Sequence, residues 1–224
     1  ELDDSCGGNA CTEADRELLG VDQHAWLFER MRDGGSRWKA IAQQVMLGGL
    51  RDFHAPDDWS GYPAARERLL KGIADEGLRD VVVLTGDVHS SWAMDLAPSP
   101  IDPLAYDPAT GAGAVAVEIV TPAVTSPGFP AGASAEGFLA NNPHLRWAEL
   151  RRRGYVVLDV APTRVQADWF HVGDVEDEAL PGFTGPAAQS AEMLAMHRRL
   201  VPLLRAHDMD IEQLHLSTRG SWRV

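Results

Sequence analysis

At 224 residues the chain is long enough for one large domain with a proper core, or for part of something larger. Its 33 acidic against 20 basic side chains give a formal net charge of -13, which disfavours nonspecific association with nucleic acid or an anionic membrane. A cationic cofactor is the natural counter-charge, and no apolar run reaches the roughly 20 residues of a membrane span.

The chain starts at Glu1 with neither Met nor a signal-peptide pattern, so a processed or truncated start is open. Cys6 and Cys11 could close a small loop in an oxidising compartment or stand as two free thiols, and they lack the further ligands of a zinc site. From Thr12 to Gly48 apolar residues recur at three and four positions on either side of Gly34-Gly35, which predicts two helices. Ser36 would cap the second and Gly48-Gly49 would end it. FHAPDDWSGYP (53–63) predicts a loop, and Ala64 to Glu76 a further helix.

Val81 to Thr85 is nearly all β-branched and apolar, the composition of a strand buried on both faces. WAMDL (92–96), AVAVEIVTP (114–122), YVVLDVAP (155–162) and RVQADWFHV (164–172) predict further strands. Between them the Gly/Pro-rich TSPGFPAGASAEGF (125–138) predicts a loop, followed by a short helix around Leu145 to Arg152. The last fifty residues predict one helix, Ala187 to Ala206, and a tail without a clear pattern. Helices, a buried strand and then more strands argue for an α/β layered domain with a site at the buried strand's end.

That end reads GDVH. In an extended segment residues i and i+2 point to one side, so Asp87 and His89 would present a carboxylate oxygen and an imidazole nitrogen together. Such a pair suits a centre in which two metal ions about 3.5 to 4 Å apart clamp the oxygens of a phosphate ester. Gly86 allows close backbone approach just before the pair. On these residues alone, a turn-capping Asp87 and a surface His89 are the simpler explanation of the pattern.

The segments LLGVDQHAWLFERMRDGGSRWKAIAQQV, DDWSGYPAARERLL, VVVLTGDVHSSWAMDL, AVEIVTPAVTSPG and NNPHLRWAELRRRGYVVLDV follow one another in an order that resembles the alkaline phosphatase D (PhoD-like) family of metallophosphoesterases. The likeness spans roughly residues 15 to 170. It implies a two-sheet α/β sandwich flanked by helices, and hydrolysis of phosphate monoesters and diesters at alkaline pH by a site using iron and calcium. It further implies export and makes Asp87 and His89 the catalytic metal ligands. By the same likeness residues 12–172 are the family-like core, 1–11 a loop, and 173–224 an acidic loop, helix and tail.

The departures weigh as much. An Asp-bearing first strand, a GDxxY-like loop and an Asn- or Asp- and His-bearing loop are expected upstream and do not occur, so the chain matches the C-terminal part of such an enzyme. Two side chains cannot hold a dinuclear centre against water. A missing N-terminal segment or another copy of the chain is the expected partner, beside the phosphate-ester substrate; no nucleic-acid role is expected. A noncatalytic or degenerate phosphoesterase module acting in binding or assembly is the alternative reading. A serine hydrolase is disfavoured because no G-x-S-x-G elbow occurs.

Other residues have both a functional and a blander role open to them. Trp59 and Tyr62 could line a substrate entrance or pack at a helix end, and Ser90 and Ser91 could donate to a phosphate. Asp95 is expected to pair at the surface, Ser126 to belong to a turn, and Asn141 or Asn142 to cap a helix before Pro143. Gly173, Asp174 and Asp177 mimic a GDxxD ligand loop, yet follow GDVH instead of preceding it and sit in an acidic, solvated stretch.

Overall fold

The computed structural model describes residues 16–33, 35–51, 55–172, 182–184, 199–200, 213–216 and 222–223. Cys6, Cys11, His54, the GDVED stretch and nearly all of the expected helix Ala187 to Ala206 lie outside them.

Two helices and five strands form the centre. Helix α1 spans Gly20–Arg32 and α2 spans Pro63–Asp75. Pro63 suits the first turn of α2, where its missing N–H costs nothing, and Gly77, at φ +63°, follows the helix end. Ala65, Leu69, Leu70 and Ile73 form the buried stripe of α2. The two helices approach closely at Gly72, where a Cβ would lie 2.6 Å from the Phe28 ring.

The sheet runs β1 (Lys39–Ala42), β2 (Val81–Thr85), β4 (Ala116–Val120), β3 (Ser91–Leu96), β5 (Leu145–Glu149) in spatial order. β1, β2 and β4 are parallel, and β3 runs antiparallel to both β4 and β5. Val81, Val83, Trp92, Met94, Leu96, Ala116 and Val120 join the core cluster of α1 and α2. The opposite face carries an antiparallel hairpin, β6 (Gly154–Ala161) and β7 (Arg164–His171). Two indoles peg it down: Trp38 Nε1 donates to the Ala161 carbonyl at 2.8 Å, and Trp169 Nε1 to that of Val120 at 2.9 Å. Short strands β8 (Gly182–Thr184), β9 (Gln213–Leu216) and β10 (Trp222–Arg223) make a separate sheet, in which β8 and β9 are parallel. Helices, sheet and hairpin are thus the layers of the expected α/β sandwich, in partial form.

Three sequence expectations fail. The second N-terminal helix is β1 and an irregular segment: Ile41 and Ala42 align beside Val83 and Leu84, and pairing with a buried parallel strand outweighs the helical spacing of Trp38, Ile41 and Val45. The helix expected at Leu145 to Arg152 is β5, paired with β3 through a register shift at Ala93/Met94. The real helix is α3 (Ala135–Asn141), which starts within the expected loop 125–138 and runs past its end, capped by Ser134, whose Oγ accepts from the Gly137 amide. Asn142 does cap a helix before Pro143, at the C-terminal end of α3, and its Nδ2 donates back to the Phe138 carbonyl.

At the start of β6, a Cβ on Gly154 would lie 1.8 Å from the Phe170 carbonyl oxygen, backbone that cannot rotate away. Gly154→Ala is therefore expected to cost about 1 to 3 kcal/mol in urea unfolding, and unchanged stability would contradict this packing.

Candidate metal-ligand turn and its supporting loop

β2 and β3 lie on opposite sides of β4, so the chain from Gly86 to Ser90 must step over the C-terminal end of β4 while reversing direction. That step is two strand spacings, roughly 9.5 Å, and only a few residues make it. The turn answers with backbone that side chains rarely adopt: Asp87 is at φ +67° and His89 at φ +57°. Val88 N–H closes a tight bond to the Gly86 carbonyl at 2.8 Å. The pair is therefore displayed by a left-handed turn instead of an extended strand end, and both residues are exposed. Non-glycine residues held there concentrate at functional sites, since the conformation costs energy that surrounding structure must offset.

Among the described residues no group of three or more His, Cys, Asp or Glu side chains comes together in a metal-holding arrangement. Ser90, expected at substrate, is buried: its Oγ donates to the Val88 carbonyl at 3.1 Å and accepts from Trp92 Nε1 at 2.7 Å, so it braces the turn. Ser91 is also buried, with its Oγ 2.9 Å from His171 Nε2. Trp59, at 2 % exposure, packs in the core and donates from Nε1 to Gln43 Oε1 at 2.8 Å. Tyr62 is buried likewise. Asp95 pairs with Arg146 as expected and also accepts from Tyr106 Oη at 2.7 Å.

A second, unforeseen feature lies beside the turn. The Gln43 amide donates to the Leu84 carbonyl and Gly86 N–H to that of Gln44, so the irregular segment after β1 starts against the end of β2. From Met46 to Gly49 it runs mostly buried without strand partners among the described residues, and side chains take the place of a ladder. Glu118 Oε1 accepts from Leu47 N–H at 2.8 Å and Thr85 Oγ1 at 2.6 Å, and Oε2 accepts from Gly48 N–H at 2.6 Å. Arg66 Nε donates to the Leu47 carbonyl at 2.7 Å. His144 Nε2 donates to the Gly49 carbonyl at 3.0 Å, and Asn142 Oδ1 accepts from Arg51 N–H at 2.7 Å. A Cβ at Gly48 would lie 2.0 Å from Met94 Sδ and 3.0 Å from Glu118 Oε2, so a side chain there would displace Met94.

Burial pushes the Glu118 carboxyl up, while the two amides, the Thr85 hydroxyl and the Arg66 charge pull it back. Its three donors all favour the ionised form. Burial likewise lowers Arg66, opposed by the Glu118 charge. His144 is lowered to about 4, chiefly by burial; its Nε2 carries the proton, and Nδ1 is a buried acceptor with no partner among the described residues.

Glu118→Gln would point an amide donor at other donors and take a compensating charge from the half-buried Arg66, so a loss of about 2 to 4 kcal/mol is expected on denaturant unfolding. A near-neutral result would mean the carboxylate is not what holds the segment. His144 binds its proton less readily folded than unfolded, so its contribution is complete above pH 6.5 and is lost as pH falls toward 4, a change on the order of 3 kcal/mol. Unfolding free energies between pH 7 and 5 should slope less in His144→Gln; parallel curves would exclude His144 as the source.

The PhoD-like phosphatase family profile matches residues 3–169. Alkaline phosphatase D of Bacillus subtilis (strain 168) is 35 % identical over 162 residues, which are 69 % of this chain and 26 % of that protein. A solved structure, "Structure of PhoD", superposes with a TM-score of 0.67 at 31 % identity, covering 77 % of this chain and 33 % of the other. The chain thus spans a quarter to a third of the length of these relatives. A second profile, the C-terminal part of cell division protein FtsQ/DivIB, matches residues 148–224. Cell division protein FtsQ of Thiomonas arsenitoxydans is 34 % identical over 62 residues, 28 % of this chain and 23 % of that protein. With three quarters of its length under the first profile, and 77 % of it covered by a solved relative, the chain belongs to the PhoD-like phosphatase family.

Proposed function

We propose that this chain contributes the Asp87/His89 ligand turn of a metal-dependent phosphoester hydrolase acting on monoesters and diesters. The observation that carries the reading is the turn itself: a carboxylate and an imidazole, both exposed and both left-handed, at the C-terminal ends of parallel strands β2 and β4. Open α/β sheets place their ligands there. The donor types suit iron through imidazole and carboxylate, and calcium through carboxylate oxygen. A bound centre of this kind supplies Lewis acidity and a water of lowered pKa.

Two donors do not complete such a centre, so no reaction step is assigned to this chain alone. Its own residues hold the donors in place: Ser90 fixes the turn from below, and Glu118 ties Thr85, two residues before Asp87, to the Leu47–Gly48 backbone. The remaining ligands belong to another part of the protein or another copy. The small donor count among the described residues also favours a second reading, a degenerate phosphoesterase module that binds without turnover. Export belongs to the same proposal, and fractionation of cells making the gene product checks it.

Asparagine tolerates left-handed backbone, which makes Asp87→Asn and His89→Asn the informative variants. Titration of the chain with paramagnetic Co2+, followed by NMR, should perturb the amides of residues 86–90 first. Each variant should weaken this binding roughly tenfold or more. Unchanged affinity in both, or perturbation centred elsewhere, removes the assignment. The degenerate-module reading gains if the ion binds but no phosphodiesterase activity appears in the protein with its complementary part.

A further inference from the structure

The ligand turn has built neighbours at its end of the sheet. Thr121, the first residue after β4, donates its amide to the Thr85 carbonyl at 2.8 Å, so the loop from Thr121 to Pro130 starts beside Gly86. On the other side β3 pairs with β5 through Ser91↔Glu149. His89 stands two residues before Ser91 and Arg151 two residues after Glu149, and in an antiparallel pair both lie off the same end. Adjacent chains leaving a sheet together are roughly 5 to 10 Å apart.

Arg151, Arg152 and Arg153 follow one another there, in a chain with 33 acidic and only 20 basic side chains. Their surroundings separate them. Arg152 is neutralised by Glu149, with Nε and Nη2 at 3.1 and 3.0 Å from Oε2. Glu149 Oε1 accepts from the amides of Arg151 and Arg152 at 3.1 and 3.3 Å, which fixes the turn. Arg153 donates from Nε to the Thr125 carbonyl at 2.9 Å. Arg151 is exposed, and neither it nor Arg153 has a carboxylate partner among the described residues.

Backbone seats the loop on this turn. Phe129 N–H donates to the Leu150 carbonyl at 2.8 Å and Gly154 N–H to that of Ala123 at 3.0 Å, while a Cβ on Gly128 would lie 2.3 Å from the Leu150 oxygen. The Arg151 and Arg153 guanidinium groups are thus carried on a turn anchored from both sides. Cations left uncompensated in an acidic protein, on fixed backbone beside Asp87 and His89, offer what a phosphate oxyanion binds: charge and forked N–H donors.

We propose that Arg151, with Arg153 beside it, binds a non-bridging oxygen of the substrate's phosphate group from outside the ligand turn. The inference rests on the function proposed above and adds a substrate-positioning residue to it. The guanidinium orients the phosphate by charge-assisted hydrogen bonds, and no bond is made or broken at the arginine. It also gives an acidic chain a local positive field toward an anionic ester.

The test is titration of the chain, without added metal and at low ionic strength, with inorganic phosphate, followed by NMR of the backbone amides and the arginine Nε–H groups. Saturable perturbation is expected at residues 149–154 and 123–129, and Arg151→Ala should weaken the binding about three- to tenfold. Arg79→Ala removes the same charge from an exposed arginine ahead of β2, at the opposite end of the sheet, and should change it far less. Absence of saturable binding overturns the proposal, as do equal losses in the two variants, because long-range charge alone would then account for the attraction. Arg151→Ala should also keep the Co2+ response of residues 86–90. Phosphate binding that depends on Arg151 in a chain without that response supports the anion site and sinks the metal reading, whereas the Co2+ response without phosphate binding sinks the present inference alone.

Discussion

The structure depends on satisfying the backbone of one buried, irregular segment, Met46 to Arg51. A strand or helix satisfies its own N–H and C=O groups, whereas this mostly buried segment has neither form. Its amides and carbonyls are met by Glu118 from β4, Arg66 from α2, and Asn142 and His144 from the connection between α3 and β5. Elements distant in sequence are tied to one stretch of chain, and removing one partner leaves a buried polar group exposed to apolar surroundings. The cost of such an orphan, about 1 to 3 kcal/mol, exceeds the net gain of the bond itself, so the cluster stands or falls together.

The same cluster connects packing to the site. Glu118 holds Thr85 as well as the segment, and Thr85 is the last residue of β2 before the Gly86 turn. The turn is left-handed because its path is short: it must cross the end of β4 to reach β3. Ser90, buried under Trp92, closes it from the far side. Topology therefore strains the turn, buried hydrogen bonds brace it, and the outcome is an outward carboxylate and imidazole on a fixed base.

What the sequence revealed follows from how local each signal is. Val81 to Thr85 was legible as a buried strand from its composition, and α2 from its apolar spacing and Pro63. Asp87 and His89 stood out because two polar, metal-competent residues directly follow an apolar strand. β1 and β5 were misjudged because both owe their strand state to partners elsewhere, Val81 to Leu84 for one and Ser91 to Met94 for the other. α3 hid in a Gly/Pro-rich stretch where Ser134 was the only start signal. Glu118 was the largest omission. A lone Glu amid AVEIV is a faint anomaly, a charge on the buried side of a strand, and it could have prompted a search for buried donors. Its partners, Leu47, Gly48, Thr85 and Arg66, have no sequence spacing that would have named them.

Glu118 also fixes how β4 is threaded. β4 is five residues long and, apart from Glu118, wholly apolar: Ala116 and Val120 face the helices, Val117 and Ile119 the hairpin. Hydrophobicity alone would allow the strand to slide by one position, since either set of side chains could fill either layer. Such a slide would swing Glu118 to the hairpin side, strand the amides of Leu47 and Gly48, and bury a charge among Leu84, Val156 and Leu158. One ionisable residue thus converts an ambiguous apolar strand into one with a single permitted alignment against Val83 and Met94.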